Sequence, residues 1–332
     1  EYEAVDGRWV ALALEKVDFT NYREEGYTFI VAGFAAADDH GDYALGAAEG
    51  ASQIYYIDKM HVTVVIGDRN TVYNGKAALL TSVAGSDYTV ISGALDITDL
   101  ALENGWDGID LTIENGEAVN AGKYVITLAD GYNEALVNFE IIETIKGVLT
   151  VTPAPITIDK VSMPDDIVFG EVDPEISSAS VEERDVNGIV DGDTFAEDVL
   201  PYLVFTYTGT ANDGTHYDGT HVSSDIKAGS YTVTVTLTGG NYTASPVSDG
   251  YVVARKQLAS DAFSAADVTY DGTSKVAQVN CSEAEYAGLY EIAEITETYA
   301  GSYKVYVTLT EPAYYNYRWD NSNTDTFTLI WT

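Results

Sequence analysis

The tetrapeptide Ala-Gly-x-Tyr occurs three times, at residues 121–124, 228–231 and 300–303, and each copy opens a run of alternating apolar and polar residues. After Tyr231, Val233, Val235 and Leu237 fall on one side while Thr232, Thr234, Thr236 and Thr238 fall on the other. That period of two marks a half-buried strand, because successive side chains of a strand point to opposite faces. Tyr303, Val305, Val307 and Leu309 repeat the pattern. A chain built from copies of one strand-forming unit is constrained to an all-β fold. Repetition also argues against catalysis, since a reactive site needs residues that occur once.

At 332 residues the chain exceeds one small sandwich, and units of roughly 75 to 150 residues predict three or four modules. The 25 tyrosines and 29 glycines suit pleated sheets joined by tight turns, and long helices are not expected. Acids outnumber bases 53 to 16, for a formal charge of -37. A field of that sign repels nucleic acid, anionic lipid and neighbouring copies alike, so a monomer with no nucleic-acid partner is expected. No run of eighteen apolar residues is present, so no membrane insertion is expected, and the first residues lack signal-peptide character, as in a fragment of a longer chain. The single cysteine, Cys281, rules out an internal disulfide framework and reads as a small packed hydrophobe.

Three junctions look alike, at residues 54–64, 148–158 and 251–258: a closing strand, a short hinge and an opening strand. Pro153 and Pro155 stiffen the middle hinge because neither can donate to a ladder. The implied modules are 59–153, 154–255 and 256–332, preceded by a partial or atypical β module at 1–58, with an Ala/Gly/Asp-rich loop at 35–50. Each hinge is followed by an aromatic turn: Tyr73-Asn74-Gly75, Phe169-Gly170, Tyr270-Asp271-Gly272. Each Ala-Gly-x-Tyr strand is followed by an Asn/Tyr turn: Tyr132-Asn133, Asn241-Tyr242, Asn316-Tyr317.

Together these features resemble the MBG ("mostly β, glycine-rich") and YDG-type repeats of large bacterial surface proteins. Residues 154–255 carry the likeness best, with Phe169-Gly170 and Asp173-Pro174 as the opening, 188–194 (GIVDGDT) as the loop, and Ala228-Gly229-Ser230-Tyr231 with Asn241-Tyr242 as the close. The resemblance implies tandem immunoglobulin-like β-sandwich modules in an elongated array. It further implies an extracellular, cell-surface location and a non-enzymatic stalk role in an adhesin-like protein, and it supplies no catalytic residues.

Several constellations invite a more specific chemistry. Asp185, Asn187, Asp191 and Asp193 bring oxygen ligands close together, so calcium is the one cofactor the pattern leaves open, although the spacing is wrong for an EF-hand and a plain acidic turn accounts for it more simply. The duplicated Asp213-Gly214-Thr215-His216 and Asp218-Gly219-Thr220-His221 offers two imidazoles and two carboxylates to zinc, and turn chemistry explains it more simply. Trp9, Trp106, Trp319 and Trp331 raise an alternative function, binding of a host or environmental glycan or protein partner, with Trp106 in its Asn-Gly-Trp-Asp-Gly turn as the ring best placed for exposure. No phosphate loop, dinucleotide fingerprint, Gly-x-Ser-x-Gly or Cys-x-x-Cys is present, and the chain reads as not an enzyme.

Overall fold

The computed structural model describes residues 2–3, 9–10, 23–30, 52–104, 106, 108–132, 136–165, 167–173, 178–322 and 324–332. The loop read at 35–50, His40, Asn133 and Pro174 lie outside the described residues. The fold is all-β: the longest described α-helix is the six-residue Thr98–Glu103. The chain divides into two compact units, one of residues 1–72 and 76–152, the other of 73–75 and 153–332.

In the first unit, residues before 59 contribute two antiparallel pairs, Tyr2–Glu3 with Trp9–Val10 and Tyr27–Ile30 with Ser52–Tyr55. Two four-stranded sheets follow. Met60–Ile66 lies between Phe139–Ile145, parallel, and Tyr88–Ser92, antiparallel, which in turn carries Leu95–Asp96. Arg69–Val72 runs parallel to Gly147–Thr152, which pairs antiparallel with Gly122–Leu128, and that strand with Leu111–Ile113. Alternation decides which face is buried: Val62, Val64 and Ile66 are shut from solvent while the intervening Thr63 and Val65 are only half-buried. A fully buried valine contributes about 1.5–3 kcal/mol, so the pattern fixes the register, and a one-residue slip would turn the apolar set outward.

Both outer chain segments change sheet at the same place. Ile66 ends in the first sheet and Arg69 starts in the second, just as Ile145 gives way to Gly147. The backbones touch there: a Cβ on Gly147 would sit 2.5 Å from the Gly67 carbonyl oxygen, so only glycine fits. Asp68 Oδ1 accepts from the Val148 amide at 2.8 Å and holds the crossing.

The second unit contains a four-stranded antiparallel sheet ordered His216–Gly219, Leu203–Ala211, Gly229–Leu237, Val247–Val253. Tyr231, Val233 and Val235 point into its core and the intervening threonines point away, as the sequence alternation requires. A three-stranded sheet, Tyr290–Ile292, Tyr303–Leu309 and Thr326–Trp331, backs an aromatic cluster centred on Phe263. The Phe263 ring meets Tyr290, Trp319 and Phe327 at 4.8, 5.4 and 5.5 Å between centroids, each at a steep angle. Edge-to-face packing of this kind stabilises beyond its buried area by about 0.5–1.5 kcal/mol per pair. Among the described residues, every strand ladder closes within 1–58, 59–153, 154–255 or 256–332, while the last two segments share one compact unit.

Candidate functional site

The three Ala-Gly-x-Tyr elements do the same structural job. Tyr124, Tyr231 and Tyr303 each donate their hydroxyl to the carbonyl oxygen four residues upstream, those of Asn120, Lys227 and Tyr299, at 2.8, 2.7 and 2.8 Å. The ring folds back over the turn that launches its own strand. At the second motif position space is short in two of the copies. A Cβ on Gly229 would lie 2.6 Å from the Ala211 Cα, and one on Gly301 3.1 Å from the Tyr303 hydroxyl oxygen.

A second device also recurs three times, where a module's first strand meets the segment after its Asn. The amides of Met60, Ala154 and Lys256 donate to the carbonyl oxygens of Asn138, Asn241 and Asn316 at 2.9, 2.8 and 2.9 Å. The next residue in each case, Phe139, Tyr242 or Tyr317, then opens a parallel pairing with that first strand. Each of these aromatics receives a second ring edge-on: Trp106 on Phe139 at 5.6 Å and 74°, Tyr73 on Tyr242 at 5.7 Å and 84°, Phe169 on Tyr317 at 5.4 Å and 87°. The residue equivalent to Asn241 in the 59–153 segment is therefore Asn138, rather than the Asn133 that the Tyr132-Asn133 turn suggests.

Asn316 works twice. Its carbonyl oxygen takes the Lys256 amide and its side-chain oxygen takes the Ala228 amide at 2.9 Å, while Asn212 Nδ2 donates to the Tyr315 carbonyl at 2.9 Å. Arg255 adds bonds to the Tyr314 carbonyl and to Asp325, both at 2.9 Å.

Of the four residues singled out for calcium, Asp193 and Asn187 commit side-chain atoms to other partners. Asp193 Oδ2 accepts the hydroxyls of Tyr73 and Tyr242 at 2.7 and 2.6 Å. Asn187 Nδ2 donates to Asp159 at 2.8 Å, Asp191 is exposed, and Asp185 closes a 3-10 turn whose carbonyl takes the Asp159 amide. The Gly-Asp-Thr sequence thus divides its labour: Gly192 takes a φ of 103°, Asp193 binds two phenols, and Thr194 caps the following turn by accepting the Glu197 amide. Among the described residues no three His, Cys, Asp or Glu side chains converge as a metal site. Burial, aided by the Asp193 carboxylate, pushes Tyr73 up to about 12, and the same two causes raise Tyr242.

Trp106 is corrected. It is 2% exposed, with its ring against Phe139, so the indole faces inward. Trp319 and Trp331 are equally buried. In the duplicated Asp-Gly-Thr-His stretch, Asp213 binds Lys227 Nζ at 2.6 Å and the Thr215 amide at 2.9 Å, and these bonds hold its carboxyl down at about 2. His216 and His221 are solvent-exposed; Asp213 sits in the turn that leads into the edge strand His216–Gly219, which carries His216 and Asp218. Cys281 is half-buried against the Phe263 cluster, as a small hydrophobe would be.

One groove of about 270 Å³ is lined by Val268, Tyr270, Tyr299, Tyr303 and Trp331. Tyr270 is 58% and Tyr299 77% exposed, and Tyr270 has no ring partner among the described residues. Sequence reasoning named the Tyr270 turn without assigning it a surface. No signal in the sequence marks it, because ring partners are set by long-range packing.

No family model matches this chain, and no curated protein does. Among solved structures it is similar to a Bacteroides ovatus mixed-linkage glucan utilization locus protein, SGBP-B, in complex with a mixed-linkage heptasaccharide. The identity is 12%, the TM-score 0.14, and the match covers 79% of this chain and 66% of that one, just under two thirds of its length. At that TM-score neither the arrangement nor the ligand of that protein transfers to this chain.

Proposed function

We propose that this chain is a non-enzymatic run of immunoglobulin-like β modules of the MBG/YDG kind, acting as an extracellular spacer that holds a binding domain away from a bacterial surface. The observation that carries the reading is recurrence. The hydroxyl that reaches back four residues appears three times, and a tyrosine bonded to upstream backbone at a strand start is a recurring device of immunoglobulin-like sandwiches. The Asn clamp on the first strand appears three times as well. A charge of -37 keeps neighbouring copies apart and the spacer monomeric. Small-angle scattering tests the reading. A compact globule of this length has a radius of gyration of about 20 Å; a spacer gives a clearly larger value, and a result at the globular figure overturns it.

A second reading, in which one module takes up a glycan or protein partner, has Tyr270 and Tyr299 as its residues, because the tryptophans first considered for it are buried wherever their side chains are described. Binding on a glycan array that is abolished by Tyr270→Ala would favour it.

A further inference from the structure

We propose that Asn115-Gly116 is a self-modification site, at which the chain converts its own asparagine into aspartate and isoaspartate through a cyclic imide while the fold keeps its other Asn-Gly pairs intact. The proposal stands apart from the spacer reading. The sequence contains four Asn-Gly pairs, at 74–75, 104–105, 115–116 and 187–188. Imide closure meets least resistance at such a pair, because glycine has no side chain to shield its amide nitrogen. All four asparagines are exposed, so access to solvent does not separate them. Tethering does.

Asn187 lies in a strand paired with Thr157 and gives its Nδ2 to Asp159 at 2.8 Å, and a Cβ on Gly188 would lie 3.3 Å from the Pro155 carbonyl oxygen. Asn104 closes the helix Thr98–Glu103, with its backbone amide and its Nδ2 both on the Leu100 carbonyl, at 3.2 and 2.8 Å. Asn74-Gly75 is pinned from both sides. Tyr73 is 6% exposed with its hydroxyl on Asp193, and a Cβ on Gly75 would meet the Val190 side chain at 3.1 Å.

Asn115-Gly116 has none of these restraints. It follows Leu111–Ile113 on the way to Gly122–Leu128, one residue past the bond from the Glu114 amide to the Val125 carbonyl at 2.9 Å. The backbone leaves the ladder there in the left-handed region, and Asn115, at φ 66°, is the one described residue other than glycine to do so. Among the described residues the Asn115 carboxamide has no hydrogen-bond partner, and nothing lies within 4 Å of the place a Gly116 Cβ would take.

The reaction balances with water as its one co-reactant. Once its proton is removed, the Gly116 nitrogen attacks Asn115 Cγ, a C–N bond forms, and the side-chain nitrogen leaves as ammonia. Water then opens the imide at Cγ, giving aspartate, or at the backbone carbonyl carbon, giving isoaspartate with Cβ added to the main chain. Either product places a new negative charge between Glu114 and Glu117, and isoaspartate lengthens the connection between two strands of one sheet.

The test holds the full chain at mildly alkaline pH, folded and in urea, and follows the four pairs by peptide mass spectrometry. In the folded chain Asn115 converts about tenfold faster than any of the other three, which react only through local opening. In urea the four rates fall within about threefold of one another, because the tethers are gone. Comparable rates in the folded chain overturn the proposal. So does a lead of Asn115 that persists undiminished in urea, since the preference would then belong to the local sequence. Asn115→Gly, which suits the positive φ, should remove the main acidic variant from an ion-exchange profile of the aged chain, and a profile unchanged by the substitution overturns the proposal as well.

Discussion

Phe169 and Tyr270 both begin glycine turns early in two successive segments, Tyr270 two residues beyond the Val268 amide that makes the bond Phe169 makes, and they live in different surroundings. Phe169 is half-buried, with its ring edge on Tyr317, while Tyr270 is 58% exposed. Each turn keeps a glycine in the left-handed region with and without a ring partner, so that much is a property of the local sequence and the burial of the aromatic is set by its long-range contacts. The Tyr73 turn adds a third case, in which the contact includes a carboxylate.

Three measurements sharpen or break that contrast. The largest effect is expected for Asp193→Ala, which strips the acceptor from two largely buried phenols and lowers stability by about 3 kcal/mol in urea titration. Calcium should leave the melting temperature of both proteins unchanged; a rise with calcium that the substitution abolishes would reinstate a cation loop. Next comes Phe169→Ala, with a loss of about 2 kcal/mol from a half-buried ring and its edge contact, against Tyr270→Ala within about 0.5 kcal/mol. Equal losses at the two positions would erase the distinction between a packed and an exposed ring.

Tyr73→Phe is the smallest at neutral pH, at about 1 kcal/mol. Its effect lies in the alkaline limb. Tyr73 ionises near 12 when folded and near 10 when unfolded, so its contribution is complete below pH 10 and is lost as the pH rises from about 10 to about 12. The variant should show a shallower loss over that window. Identical slopes would mean that the hydroxyl does not enter the contact.

The strands were legible in the sequence and their partners were not. Alternation after Tyr231 and Tyr303 gave the buried faces of Gly229–Leu237 and Tyr303–Leu309 residue by residue, because period-2 patterning is a local property. Trp106 failed for the complementary reason. Flanking Asn-Gly and Asp-Gly say that the chain turns, whereas the direction of the indole is set by Phe139, 33 residues on. The helix at Thr98–Glu103 had a readable start, since Asp96 accepts both the Thr98 amide and its hydroxyl, yet six residues are too few for a helical period to show. The role of Asp193 was not legible because closely spaced oxygens suggest a cation or a plain acidic turn alike, and the two phenols that bind its Oδ2 lie 120 and 49 residues away.

The side-by-side run of Met60–Ile66 with Phe139–Ile145, and of Arg69–Val72 with Gly147–Thr152, bears on how tension is carried. Because the early and late strands point the same way, pulling Met60 and Thr152 apart slides one strand along the other. All rungs of the two ladders are then loaded together, in shear, instead of parting one by one as in a hairpin peeled from its open end. A segment wired like this resists a lengthwise tug far more than its equilibrium stability alone would suggest.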